Sequence, residues 1–223
     1  LILTLTLLLL SSCIVKSLYP FYTKDTISFE EKFIGNWVDN EKGIWKVNSV
    51  MEKILEDEKK TSISELDKEE VEMYEILKGG YFIEYTKKDN ESTFFAMPFK
   101  MNDQLFIDFI PLETKRDGLS NLVKFHLIKT HSLVKFDLLD DNSISIKWFD
   151  EDKIKSLFKD NKIKIKHEII GMLESFDFDE ETFLLTASSE ELQKFISKYM
   201  SSDDDDKWKT SVSFILKRQD EKP

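Results

Sequence analysis

From Tyr81 to Ile110 the chain is written in alternation, and no other stretch constrains the fold as tightly. Three short runs, Tyr81–Lys87, Thr93–Met101 and Gln104–Ile110, are separated by Asp89-Asn90 and by Asn102-Asp103. A period of two is the period of a β-strand, and Asn/Asp pairs between such runs are tight-turn chemistry. The spacing therefore predicts an antiparallel meander. Tyr81, Ile83 and Tyr85 share one face, as do Leu105, Ile107 and Phe109, yet Phe82, Phe106 and Ile110 fall on the other. Strands that are apolar on both sides predict a sheet covered on its second face as well.

The same pattern recurs on either side. Phe33–Val38 and Gly43–Val47 read as the first two strands, joined at Glu41-Lys42-Gly43. Leu133–Leu139 and Ser143–Phe149 form a hairpin around Asp140-Asp141-Asn142, with Ile144, Ile146 and Trp148 on one face. Lys162–Ile170, Thr182–Ala187 and Lys209–Arg218 read as further strands. Helical spacing interrupts them in a few places. The charged insertion Met51–Lys78 predicts a helix in its second half, with Ser64 and Asp67 as a capping pair and Gly79 as the stop. Asp150 opens a second, with Ile154, Leu157 and Phe158 on one face, and Ser188 with Glu191 caps a third. Thr114–Val123 is a polar connection with a turn at Asp117-Gly118 and a short helix from Ser120.

With 41% hydrophobic and 34% charged residues, the chain is a folded domain rather than a disordered one. Its formal charge of −11 argues against nucleic acid, which needs a basic face. The first twelve residues carry none of that charge. They read LILTLTLLLLSS and are followed by Cys13, the one cysteine present. About ten apolar residues ending in small ones make the core and cleavage site of an export signal, and are too short to span a bilayer. A positively charged leader is missing, so the expected start lies some residues upstream. Leu10-Ser11-Ser12-Cys13 resembles the lipobox of bacterial lipoproteins. That resemblance implies cleavage between Ser12 and Cys13, diacylglycerol on the Cys13 sulfur, and a location in the bacterial cell envelope, with the membrane itself as a partner through the lipid. Two acyl chains at about 0.8 kcal/mol per methylene would hold a domain there. The expected organisation is a signal peptide over 1–12, a lipidated N-terminus and tether over 13–28, and a single β-rich domain over 29–223.

Gly35-Asn36-Trp37 at the first strand resembles the Gly-x-Trp signature of the lipocalins and their barrel relatives. In that family the Trp plugs one end of an eight-stranded barrel and a basic residue of the last strand lies across its ring. The resemblance implies that part for Arg218. The expected fold class is therefore mainly β (a β-rich α+β chain): an antiparallel meander closing to a lipocalin-like or half-open barrel, with two to three short helices inserted between strands. One departure stands out, since lipocalins carry their main helix after the last strand and here the helical patterns precede it.

Motifs for chemistry are sparse. One thiol excludes a disulfide framework and a cysteine–zinc site. His126 and His131 are five apart, which places them on opposite faces of a strand, and His167 stands alone in a lysine-rich run. No metal and no cofactor are expected. There is no glycine-rich phosphate loop and no Gly-x-Ser-x-Gly elbow. Asp108, inside an apolar strand, either faces solvent from an edge strand or is buried with a raised pKa. Asp203–Asp206 is consecutive and lacks the alternation of a calcium loop. Three readings of function remain: a non-catalytic envelope binding domain for a small apolar ligand, an assembly lipoprotein with a filled core that binds an envelope protein, and a hydrolase using paired carboxylates.

Overall fold

The computed structural model describes residues 14–114, 126–171 and 182–219. Its frame is a closed barrel of eight antiparallel strands. A two-residue strand, β1 (Lys16–Ser17), comes first, then a 3₁₀ turn at Glu31–Phe33. The barrel runs through β2 (Gly35–Asp39), β3 (Ile44–Ser49), β4 (Tyr81–Lys87), β5 (Asn90–Met101), β6 (Gln104–Thr114), β7 (His131–Leu138) and β8 (Ile144–Trp148). Each of these pairs with the next. Two short strands follow, β9 (His167–Ile170) and β10 (Thr182–Leu185), and β11 (Ser213–Arg218) closes the barrel between β8 and β2.

The turns show why the meander holds. Asn102 and Asp103 take φ of 48° and 63°, the backbone of a two-residue hairpin whose twist matches its strands. In the β2–β3 turn, one Asp39 carboxylate oxygen accepts from the N–H of Glu41 and of Gly43 at 2.8 and 2.7 Å. Its other oxygen accepts from the Trp45 indole at 2.9 Å. A Cβ on Gly43 would meet the Tyr85 ring at 2.4 Å, so that position excludes a side chain.

Four helices are described, against the two or three expected. Of these, α1 (Val50–Asp57) and α2 (Lys68–Leu77) occupy the insertion, while α3 (Glu151–Lys159) and α4 (Ser189–Met200) follow β8 and β10. The extra one is α1, which starts directly off β3 behind a Ser49–Glu52 capping box. The cap of α2 is Asp67 with Glu70, not Ser64 with Asp67, because Ile63–Glu65 winds into its own 3₁₀ turn. The expected strand Lys162–Ile170 pairs only over its last four residues, where β10 lies alongside.

Both faces of the central strands are covered. Inside, Val47, Ile83, Ala96, Ile107, Val134 and Ile146 belong to one core. Outside, Phe99, Phe106 and Leu133 pack with Phe149, Leu192 and Ile196 beneath α3 and α4. Val50, Phe95 and Met97 form a smaller cluster with Ile54 of α1 and Leu77 of α2.

The segment 13–28, expected as a tether, is part of the domain over its described length. Val15, Ser17 and Phe21 have no exposed surface. β1 pairs with β7 on one side and with β10 on the other, joining a small β1–β10–β9 sheet to the barrel. Further on, Lys100 donates to the Thr26 carbonyl and Ser28 to that of Pro98, so residues 26–28 cover an edge of β5. The reason is apolar surface: Val15 and Phe21 complete the core between β6, β7 and the helices. Ser12 and Cys13 lie outside the described residues, as do the Asp117-Gly118 turn and the helix expected from Ser120.

Candidate ligand-binding site

One end of the barrel is solid. Phe33 meets Tyr81 and Phe136 edge-on at 5.1 Å each, and the Trp37 indole donates to the Phe33 carbonyl at 2.9 Å. The Tyr81 hydroxyl donates to the Glu30 carbonyl and accepts from the Glu30 N–H, and burial raises its pKa well above the usual phenol value. Gly35, Trp37 and Arg218 come together here. The Arg218 guanidinium lies 4.2 Å from the Trp37 ring centroid and donates to the carbonyls of Ile34 and Lys32 at 2.7 and 2.9 Å. Gly35 has φ of 127°, and a Cβ there would stand 2.1 Å from the Arg218 Nη1. The glycine leaves the room that the guanidinium fills.

The other end is hollow. Four residues along β4 from the Tyr81 plug, Tyr85 lines a cavity of about 360 Å³. Trp45, Phe94, Phe109, Trp148 and Phe214 make the rest of its aromatic wall. Ring centroids there are 4.7 Å apart for Trp45–Tyr85, 5.2 Å for Phe109–Trp148 and 5.9 Å for Trp148–Phe214. Ile14, Lys16 and Thr130 stand at the rim, Ser132 is buried in the wall, and Lys16 is the one charged residue among the described lining residues. The size falls within the range of small-molecule sites, and mostly aromatic walls with a few polar groups are their usual make-up.

The wall residues were each legible as strand positions, but not as a site. They come from β3, β4, β5, β6, β8 and β11, and only the stagger of a closed barrel brings those inward positions to one level. The available signal was the aromatic residue at an inward position of so many strands.

Asp108 is not a surface residue of an edge strand. β6 is paired on both sides, by β5 and β7, and Asp108 is fully buried on the outer face of the barrel. One of its oxygens accepts from the Phe21 N–H at 2.7 Å, and the other lies 2.7 Å from the His131 Nδ1. Burial raises its pKa, against the opposing pull of the His131 hydrogen bond. With both oxygens taken and no exposed surface, it latches the N-terminal segment to the barrel and has no access to a substrate. His167 lies elsewhere, its ring 4.1 Å from that of Phe158 and 4.6 Å from that of Phe183. Among the described residues no three His, Cys, Asp or Glu side chains are grouped to hold a metal. Within Asp203–Asp206, Asp204 is engaged by Lys153 at 2.6 Å. No described helix is long and apolar enough to cross a membrane.

No family model, curated protein or solved structure matches this chain.

Proposed function

We propose that the chain is a lipid-anchored bacterial envelope protein whose barrel binds a small apolar ligand without catalysis. The observation that carries the binding reading is the aromatic cavity opposite the Trp37 plug. A structural barrel gains stability from filling both ends, and each void forfeits packing contacts. Here one end is filled and six aromatic side chains of the other end line an open pocket. Lys16 at the rim suits a ligand with an anionic head on an apolar body.

The anchor rests on the lipobox, and the fold gives it a consequence. Ile14, the residue after Cys13, bridges to Asp150 and lies on the rim of the cavity. A lipid on Cys13 would hold the open mouth beside the bilayer surface, where apolar ligands are concentrated.

Native mass spectrometry of the Cys13→Ser protein, purified from a bacterial envelope without detergent, tests the reading. The expected result is a small bound mass that is lost on denaturation. Ser132→Phe, which places a ring in the cavity, should abolish that mass while the protein stays folded. An apo mass for both proteins would reject a tightly held cargo.

A second reading has an observation of its own. On the insertion, Met51, Met73 and Ile76 are 37%, 56% and 74% exposed. Exposed apolar side chains gathered on an inserted element suit a surface that docks on another envelope protein. Cross-linking from position 76 in cells would recover that protein, and should be unaffected by Ser132→Phe.

A further inference from the structure

We infer that a second site, a lysine-lined groove away from the barrel mouth, binds an acidic polypeptide segment in extended form. The groove lies between the 161–167 segment and α4 and has a volume of about 930 Å³. Its walls begin in the sequence. After α3 the chain turns at Asn161, with φ of 53°, and runs on as Lys162-Ile163-Lys164-Ile165-Lys166. The two isoleucines are half-buried against the second core, and the three lysines are exposed. Across the groove, Leu192, Ile196 and Tyr199 bury one face of α4. That orientation leaves Lys194 and Lys198 exposed one turn apart, with Phe195 between them.

The charge is not balanced locally. Lys162 has Asp160 at 3.0 Å, and Lys166 has Glu191 at 3.6 Å. Lys164, Lys194 and Lys198 have no carboxylate within 4.0 Å among the described residues. In a chain of net charge −11, three unpaired cations meeting across one groove repel one another and contribute nothing to packing. Lysine on a sheet edge is a common guard against unwanted pairing, which accounts for Lys164. It does not account for Lys194 and Lys198 on the facing helix.

The backbone says what shape the occupant has. The N–H groups of Ile163, Lys164 and Ile165 have no hydrogen-bond acceptor among the described residues. Among the described residues, β9, which continues the segment, pairs only with β10 and is the last strand of its sheet. Among the described residues that edge is open to one more strand, apart from the Ile165 carbonyl, which lies 2.9 Å from the His167 Nδ1. The lysines are also strung along two lines rather than converging on a point, as a single phosphate would need. Alternate residues of an extended chain are about 6.6–6.8 Å apart, and residues one helical turn apart are about 6 Å apart. Carboxylates at every second position of a strand therefore meet both lines in register. A flat anionic membrane meets one line or the other.

The probe is a fluorescein-labelled octapeptide of alternating Glu and Val, titrated into the full chain carrying Cys13→Ser and read by fluorescence anisotropy. The expected result is saturable binding, weakened at least about ten-fold by Lys164→Glu with Lys198→Glu, and weakened by added salt. A peptide with Gln for Glu should bind at least about ten-fold more weakly, as should one N-methylated at alternate residues, which cannot form the strand bonds. Circular dichroism confirms that the double variant is folded. Equal binding of the Gln peptide, or of the double variant, overturns the role of the lysines. Equal binding of the N-methylated peptide overturns the extended form. Lysine-dependent sedimentation with phosphatidylglycerol vesicles, or a dimer lost in the double variant, overturns the peptide as occupant.

Discussion

Arg218→Ala should loosen the seam at which the barrel closes, and its cost can be worked from three contacts. The guanidinium stacks on Trp37 at 4.2 Å, and its fork donates to the carbonyls of Ile34 and Lys32. An exposed cation–π contact is worth about 0.5–1 kcal/mol. Hydrogen bonds from a charged donor reach about 1.5–3 kcal/mol when buried, but Arg218 is exposed and water can replace them, so about 0.5–1 kcal/mol each is the better figure. The sum is about 1.5–3 kcal/mol. For a chain of this size that is a fall in Tm of roughly 3–12 °C. Arg218→Lys keeps the cation and loses the fork, so it should fall about midway. Gly35→Ala adds a test of mechanism. Its Cβ would occupy the place of the Arg218 Nη1, at a φ that disfavours any side chain. The clash vanishes once Arg218 is gone, while the backbone strain remains. The double variant should therefore lose less than the two single variants together, by about 1 kcal/mol or more. Urea unfolding of the four proteins measures this. Full additivity, or an Arg218→Ala protein within about 0.5 kcal/mol of the parent, would falsify the claim that the guanidinium locks the closure.

Two further outcomes are expected. Phe21→Ala should cost about 3–5 kcal/mol in urea unfolding, the price of a cavity in a packed core; a loss under about 1 kcal/mol would mean that this segment does not belong to the domain. Asp108→Asn should change the pH dependence of stability. The folded protein holds the Asp108 proton more tightly than the unfolded chain does, because burial raises its pKa, so the contribution of Asp108 is greatest below about pH 4 and is lost as pH rises through the folded value. Parallel urea titrations should show the stability of the parent falling relative to Asp108→Asn from about pH 4 upward, with His131 and Tyr22 as the titratable neighbours. A relative rise would contradict the buried assignment.

How much was legible follows from which interactions are local. The meander from Tyr81 to Ile110 and the Asp140–Asn142 hairpin could be read directly, because alternation and turn chemistry act between residues close in sequence; the first turn alone is off by one, falling at Lys88-Asp89 rather than Asp89-Asn90, because Asn90 pairs opposite Lys87. The helices at Asp150 and Ser188 were equally plain, since Asp150 accepts from Lys153 and Ser188 from Glu191 within one turn. Closure was not written in any one stretch. Arg218 pairs opposite Trp37 across nearly the whole chain, and only the resemblance of Gly35-Asn36-Trp37 to a barrel signature pointed there. Asp108 was ambiguous for the same reason, because whether β6 is an edge depends on β7, which lies beyond the connection that follows β6. Ser64 and Asp67 each have an acid three residues on, and spacing alone does not choose between them. In Lys162–Ile170 the alternation is real, but a strand also needs a neighbour, and β10 reaches only its last four residues.

β1 shows how far two residues can matter once the strands around them are in place. It pairs with β7 of the barrel and with β10 of the small sheet, so it joins the hollow end of the barrel to the layer that carries the lysine groove. Alternation divides its neighbourhood cleanly: Ile14 and Lys16 line the aromatic cavity, while Val15 enters the second core and Ser17 is buried. In sequence this stretch follows an apolar leader and carries no turn signal, which is why it reads as a tether. In the fold it is the strand to which both candidate sites are attached. The position of Ile14 at the cavity rim, one residue after Cys13, also makes the proposed anchor and the proposed binding site a single local arrangement.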